Sequence, residues 1–233
     1  MSDRSVGYVQ PIGRSAQAGQ APLPAARSRE RILDVAEARF ASHGFGGVGL
    51  AEVATRAGLG KASLFHHFPS KAQLYCAVMA RVLTTLDDAL VRALAEGGSP
   101  TQRLDRWVDT AIDVLAENRA YPRLLVRVLV EDDELPRGLA EGKEAGDAVR
   151  RIGVTAVGLL REGMDSGEFR RASTGHTLQS LIGAVVHPLA TGRFGEELVG
   201  GSLFAPEQLV RRKQTVKALL HSGIVVDKEG HRP

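Results

Sequence analysis

Three features of this chain predict an all-α fold. Ala, Leu, Arg and Glu fill segments free of Gly and Pro, apolar residues recur at helical spacing, and no stretch sustains the period-two alternation of β-branched residues that a sheet needs. With 233 residues, 43% hydrophobic and 5% aromatic, the chain is able to bury one large core or two modest ones. The expected architecture is an N-terminal three-helix unit holding a helix-turn-helix, joined by a long helix to a C-terminal helical domain.

Residues 1–26 are rich in Gln, Ala, Pro, Gly and Ser, and Pro11, Pro22 and Pro24 oppose regular helix, so a disordered, weakly basic arm is expected. Ser28 then caps a first helix over residues 29–42, where Ile32, Ala36 and Phe40 recur every fourth residue and Gly44 marks the stop. A second helix spans residues 50–57, with Leu50, Val53 and Ala54 inward, and Gly58 supplies the turn. The third spans residues 61–68. Leu64 and Phe68 form its buried face, Lys61, Ser63, Phe65 and His67 its outer one, and Pro69 ends it. Two short helices about a glycine at this spacing describe a helix-turn-helix, whose second helix enters the DNA major groove.

Charge agrees with the motif. The net charge of +3 is small, but no acidic residue occurs from Val53 through Leu86, a window holding Arg56, Lys61, Lys71 and Arg81 together with His66 and His67.

Ser70-Lys71-Ala72-Gln73 has the form of a capping box for a fourth helix carrying Leu74, Val78, Val82, Leu86, Leu90 and Leu94. Because a helix turns ~100° per residue, each four-residue step rotates this stripe by ~40°, and its ends face directions ~200° apart. A connecting rod is predicted, its Leu74 end on the N-terminal unit and its Leu90 end in a second core.

Pro100 opens a fifth helix with Leu104, Trp107, Ala111 and Leu115. Leu124 to Val130 is apolar on nearly all sides and predicts deep burial, and Glu131-Asp132-Asp133-Glu134 reads as an exposed acidic turn. A helix over residues 137–166 carries Val149, Ile152, Ala156, Val157, Leu160 and Met164 on one face. Residues 174–192 form a nearly uncharged helix that Pro188 should bend; Gly192, Gly195, Gly200 and Gly201 then predict a mobile loop. Pro206 begins the last helix, with Leu209, Val210, Val216, Leu219 and Leu220, before a frayed tail over residues 227–233. The uncharged helix around Leu178, Ile182 and Val185, beside the helix around Leu209, Val216 and Leu220, is best buried against its own copy, which predicts a homodimer.

Residues 29–82 resemble the DNA-binding domain of the tetracycline-repressor (TetR) family of bacterial transcription regulators. The run Ala-Gly-Leu-Gly-Lys-Ala-Ser-Leu-Phe-His-His-Phe, Ala57 to Phe68, is similar to the family's usual Ala-Gly-Val-Ser-Lys-Gly-Thr-Leu-Tyr-Tyr-His-Phe. The rest agrees only in helix pattern and length. The resemblance implies a homodimer, a double-stranded operator, an effector pocket in the C-terminal domain, and release of DNA when that pocket fills. It places Lys61, Ala62 and Ser63 at the start of the recognition helix, Phe65, His66 and His67 along its exposed side, and Lys71 at a phosphate. Gly49 and Gly60 stand where hydroxyl caps are usual, and Phe65 lacks the phenolic hydroxyl of the usual Tyr. With Ala51 unable to help from the second helix, base reading falls on Lys61, Ser63 and His67, and a Lys favours a guanine-containing half-site.

The domain reading is an arm over 1–26, a helix-turn-helix domain over 27–72, an effector-binding and dimerisation domain over 73–226, and a tail over 227–233. Trp107, Tyr121, Leu125, Leu129, Met164 and His187 are the candidate effector-binding residues, and the aliphatic C-terminal half suits an apolar or acyl-like ligand. No cofactor and no metal is expected: His66 and His67 are adjacent and diverge by ~100° on a helix. Gly60-Lys61-Ala62-Ser63 lacks the upstream glycine and strand of a phosphate-binding loop. Cys76 is the single cysteine, so no intramolecular disulfide framework exists; it reads as a small buried hydrophobe. The N-terminus lacks the apolar core of a signal peptide, and the uncharged stretch from Ala172 to Gly192 contains two His, Gln179 and Pro188, so a cytoplasmic protein without a membrane span is expected. No catalytic constellation emerges. The reading is a sequence-specific repressor released from a palindromic operator by a small molecule, with an all-helical enzyme or an effector-independent DNA-binding or nucleoid protein as the alternatives.

Overall fold

The computed structural model describes residues 24–130 and 138–226. Among them helix is the regular element throughout, apart from one isolated bridge between Phe169 and Val225. The helices are α1 Pro24–His43, α2 Leu50–Arg56, α3 Lys61–His67, α4 Lys71–Ala95, α5 Pro100–Glu117, α6 Tyr121–Val130, α7 Ala140–Asp165, α8 Thr174–Ala190, α9 Arg193–Val199 and α10 Pro206–Gly223. The expectations for the first 23 residues, for Glu131-Asp132-Asp133-Glu134 and for residues 227–233 lie outside the described residues.

The N-terminal unit closes as its spacing requires. Ile32, Leu33, Ala36, Phe40, Val53, Leu64 and Phe68 are buried together, and Gly58 makes the turn at φ 67°, a left-handed conformation that a side chain resists. α1 starts at Pro24 rather than after Ser28, so the last residues assigned to the arm are helical. A proline opposes helix only where it removes a bonded N–H, and the first turn has none to lose.

α4 is the predicted rod, with Leu74, Val78, Val82, Leu86, Leu90 and Leu94 all buried. At one end Tyr75 meets Phe40 and Phe45 edge-on, with ring centroids 5.0 and 5.3 Å apart. Beyond, α4 packs along α5 and α7. The two cores expected at its ends are instead one continuous cluster. The stripe turns gradually and leaves no polar break, and α6 also reaches back to α1.

Ion pairs fix the angle of the rod. Arg81 donates to Asp34 at 2.7 Å and to Glu37 at 2.5 Å, both on α1. Burial raises the Glu37 carboxyl above its ordinary value in spite of Arg81. Burial alone would lower the Arg81 guanidinium, but its bonds and charges from Asp34 and Glu37 leave it raised. The asymmetry has a simple cause: Arg81 is shared among several carboxylates, whereas Glu37 has Arg81 alone to offset its desolvation.

Only half of the expected capping box forms at α4. Ser70 accepts from the Gln73 backbone at 3.1 Å, but the Gln73 side chain donates to Glu141 of α7 at 3.2 Å. The complete box is at α5, between Ser99 and Gln102.

Three elements differ from expectation. In α6, Leu124 and Leu125 are buried but Leu129 is 59% exposed, because α6 packs on one side only, against α1 and α8. In α7 the small Ala145 and Ala148 are buried and Val149 is 49% exposed; small side chains allow the long, close contact with α4. The glycine-rich segment is the helix α9 rather than a loop, with Gly200 as its left-handed C-cap at φ 72°. Finally, Lys213, Lys217 and His221 of α10 meet Asp113, Asp109 and Asp105 of α5 at 2.5, 2.7 and 2.8 Å, an antiparallel ladder.

Candidate nucleic-acid interface

α3 presents the residues that its spacing placed outward. Lys61, Ala62, Phe65 and His66 are exposed, Ser63 and His67 half-buried, and Leu64 anchors the helix with no exposure. Gly49 and Gly60 give α2 and α3 no side-chain cap, as read from the sequence. The His66 and His67 rings, expected to diverge, meet edge-on with centroids 5.5 Å apart. No group of three or more metal-ligating side chains assembles among the described residues.

Charge around α3 is prearranged. Glu52, the sole acid of α2, is bonded to Arg56 at 2.9 Å and Arg39 at 2.7 Å. The Arg56 hydrogen bond is the main cause that lowers its carboxyl, so it stays ionised and internally neutralised. Lys71 lies with Nζ 4.7 Å from the Phe45 ring centroid and donates to the Gly46 carbonyl at 3.2 Å, which leaves further N–H donors free. The surface formed by α3 and its flanks is therefore positive, fixed and rich in donors, the physical requirement for a polyanion whose base edges are read by hydrogen bonds.

The candidate effector residues do not come together. Trp107, Tyr121, Leu125 and Met164 are buried in the continuous core. Burial raises the Tyr121 hydroxyl, which bonds Thr85 of the rod and lies in the field of Glu37 and Arg81, so Tyr121 belongs to the junction of head and rod. Leu129 and His187 instead line an open groove of about 430 Å³ between α6 and α8, beside Leu178 and Ile182. His187 is exposed there, because the buried side of α8 is the one carrying Leu181, Val185 and Leu189.

The candidate dimer surface also needs correction. Val185 and Val216 are 2% and 1% exposed inside the protomer, which removes them from any contact with a second copy. Leu178, Ile182, Leu209 and Leu220 remain partly open, and Leu219 is 64% exposed. Leu219 borders a groove of about 420 Å³ between α8 and α10, lined also by Thr177, Ser180 and Ala184. Among the described residues no helix is long and apolar enough to cross a membrane.

Residues 32–78 match the family of bacterial regulatory proteins described as the tetR family. The HTH-type transcriptional activator FasR of Mycolicibacterium smegmatis is 27% identical over 177 residues, 70% of this chain and 80% of that protein. The HTH-type transcriptional repressor KstR of the same organism is 29% identical over 140 residues, 60% of this chain and 64% of that protein. The ketosteroid transcriptional regulator KstR2 of Mycobacterium tuberculosis has the same fold, with a TM-score of 0.69 at 19% identity over 85% of this chain and 95% of that one. With the helix-turn-helix, the rod and the outward face of α3 in place, residues 32–78 form a DNA-binding domain of the tetR family, and the chain is a DNA-binding transcriptional regulator.

Proposed function

We propose that this regulator is a homodimeric repressor, acting in the cytoplasm, that grips a palindromic operator with α3 and is released when an apolar small molecule enters the helical domain. The carrying observation is the outward face of α3, free of acids, on a head joined through α4 to a core continuous with the C-terminal domain. Lys61, Ser63 and His67 read base edges, with Ala62 allowing close approach. Phe65, His66 and Lys71 meet the sugar-phosphate backbone. The head comprises residues 24–72 and the effector and dimerisation domain residues 73–226.

The dimer uses the outer faces of α8 and α10, with Leu178, Ile182, Leu219 and Leu220 meeting their copies across a two-fold axis. Half-sites about one DNA turn apart then match the two recognition helices. A ligand that tilts α4 changes that spacing and weakens binding, provided it prefers the DNA-incompetent state. The open groove between α6 and α8, lined by Val126, Leu129 and Val186, supports an apolar ligand. Selection of bound duplexes from a random pool tests the core of the reading. A recovered palindrome bound far more tightly than mixed sequence, with steep salt dependence, is expected; recovery of no preferred sequence would overturn it.

A further inference from the structure

We propose that Arg29, held over the Phe68 ring, is a phosphate-binding residue of the DNA interface. Its guanidinium carbon lies 5.3 Å from the ring centroid. Phe68 is itself fully buried and caps α3, its N–H bonded to the Leu64 carbonyl at 2.8 Å. The ring is thus held in the core, and the cation sits on it beside the last turn of the recognition helix.

Three properties make Arg29 fit a phosphate rather than a structural ion pair. Its side chain is 43% exposed, and its ion pair is a loose one, 3.7 Å from Glu30, a carboxylate that also lies 3.5 Å from Arg81. A guanidinium over an aromatic face keeps the in-plane N–H fork free, which suits a phosphate oxygen pair. The site also lies at the C-terminal end of α3, where the helix dipole is negative and would repel DNA. Lys71, three residues after Phe68 and stacked on Phe45, is the second cation at that end. Two ring-held cations thus oppose the negative end of the helix where the backbone must approach.

The local chemistry gives them a reason to be there. Phe65 offers no hydroxyl and Gly60 no side chain, so two positions of α3 that face its edges give the backbone no side-chain hydrogen bond. Part of the grip on the backbone passes to neighbouring elements, and Arg29 supplies it from α1.

This inference rests on the DNA-binding reading, and the test separates the two. Affinity of the full chain and of Arg29→Gln and Arg29→Lys variants is measured against salt, on a mixed-sequence duplex and on an A·T-only duplex. Arg29→Gln is expected to weaken both duplexes alike, about 5- to 20-fold at low salt, and to reduce the slope of log affinity against log salt by about 0.9 per head. Arg29→Lys keeps most of the slope. An unchanged slope in Arg29→Gln, with or without a lower unfolding midpoint, would make Arg29 structural and overturn the proposal. A loss confined to the A·T duplex would place it in the minor groove and overturn it equally. Absence of salt-dependent binding by the unmodified chain would remove the DNA-binding reading itself.

Discussion

Asp87 of the rod accepts a hydrogen bond from Arg151 Nε of α7 at 2.6 Å, with the aspartate only 3% exposed and the arginine side chain half in water. The pair is unequal, because water can take up the arginine if its partner is lost but cannot reach the aspartate. Arg151→Met strands a carboxylate in a low-dielectric site, whereas Asp87→Asn leaves a cation that water can solvate. Arg151→Met is expected to lower the thermal unfolding midpoint by clearly more than Asp87→Asn. Equal shifts by calorimetry would contradict this placement of the burden.

Glu37 gives a prediction of pH dependence. Burial of its carboxyl, only partly offset by Arg81, raises its folded value above the ordinary 4.5. The folded state therefore holds the Glu37 proton more tightly than the unfolded chain does. Its contribution is fully present below 4.5 and is lost as pH rises through the folded value. Glu37→Gln escapes this loss, so its stability relative to the unmodified protein should grow from pH 4 to pH 7, read from denaturant midpoints. A difference independent of pH would show that Arg81 fully compensates the carboxylate.

Base and backbone contacts should separate by mutation. Lys61→Ala is expected to cost about 1–3 kcal/mol on the best operator and little on mixed sequence, relaxing specificity at one position. Lys71→Ala should weaken all sequences alike and flatten the salt dependence. A binding panel over single-base operator variants distinguishes the two patterns, and the same pattern in both variants would remove their assigned roles.

Assembly has its own pair of variants. Ile182→Glu and Leu219→Glu should give monomers of unchanged helicity in sedimentation at micromolar concentration. Val216→Glu, inside the protomer, should instead unfold the α10 region. A dimer that survives both surface changes would place the interface elsewhere.

Once a ligand is identified, coupling must be reciprocal. If it weakens operator binding 5- to 150-fold, roughly 1–3 kcal/mol, operator DNA must weaken ligand binding by the same factor. Titration calorimetry with and without saturating operator checks this, and unequal factors would exclude a simple two-state switch.

The head was legible in the sequence because its signals are local. Leu64 and Phe68 four apart, a glycine at the turn and Ser70 before α4 each act within a few residues. The helical domain was legible only in outline. Spacing reveals which residues share a face of α8 or α10, but not which edge of that face serves the protomer's own core, and Val185 and Val216 lie on that inner edge. α9 was missed because the same glycines that make a flexible segment also bound a short helix. Leu129 and His187 were placed in the interior because α6 and α8 are apolar enough to be covered, yet each packs on one side only.

The α5–α10 ladder sets direction and rotation but leaves axial position open. Its rungs Asp105, Asp109 and Asp113 continue at the same four-residue interval to Glu117. A slide of α10 by one turn, about 5.4 Å, would hand Lys213 to Glu117, Lys217 to Asp113 and His221 to Asp109 with no rung lost. What distinguishes the observed register lies outside the ladder: Val216 is seated in the core, Gln208 donates to the Val199 carbonyl at 3.2 Å, Arg170 donates to the Ser222 and Gly223 carbonyls at 2.8 and 3.1 Å, and Phe169 pairs with Val225. These contacts act as a detent on a charge ladder that by itself does not choose between the two positions.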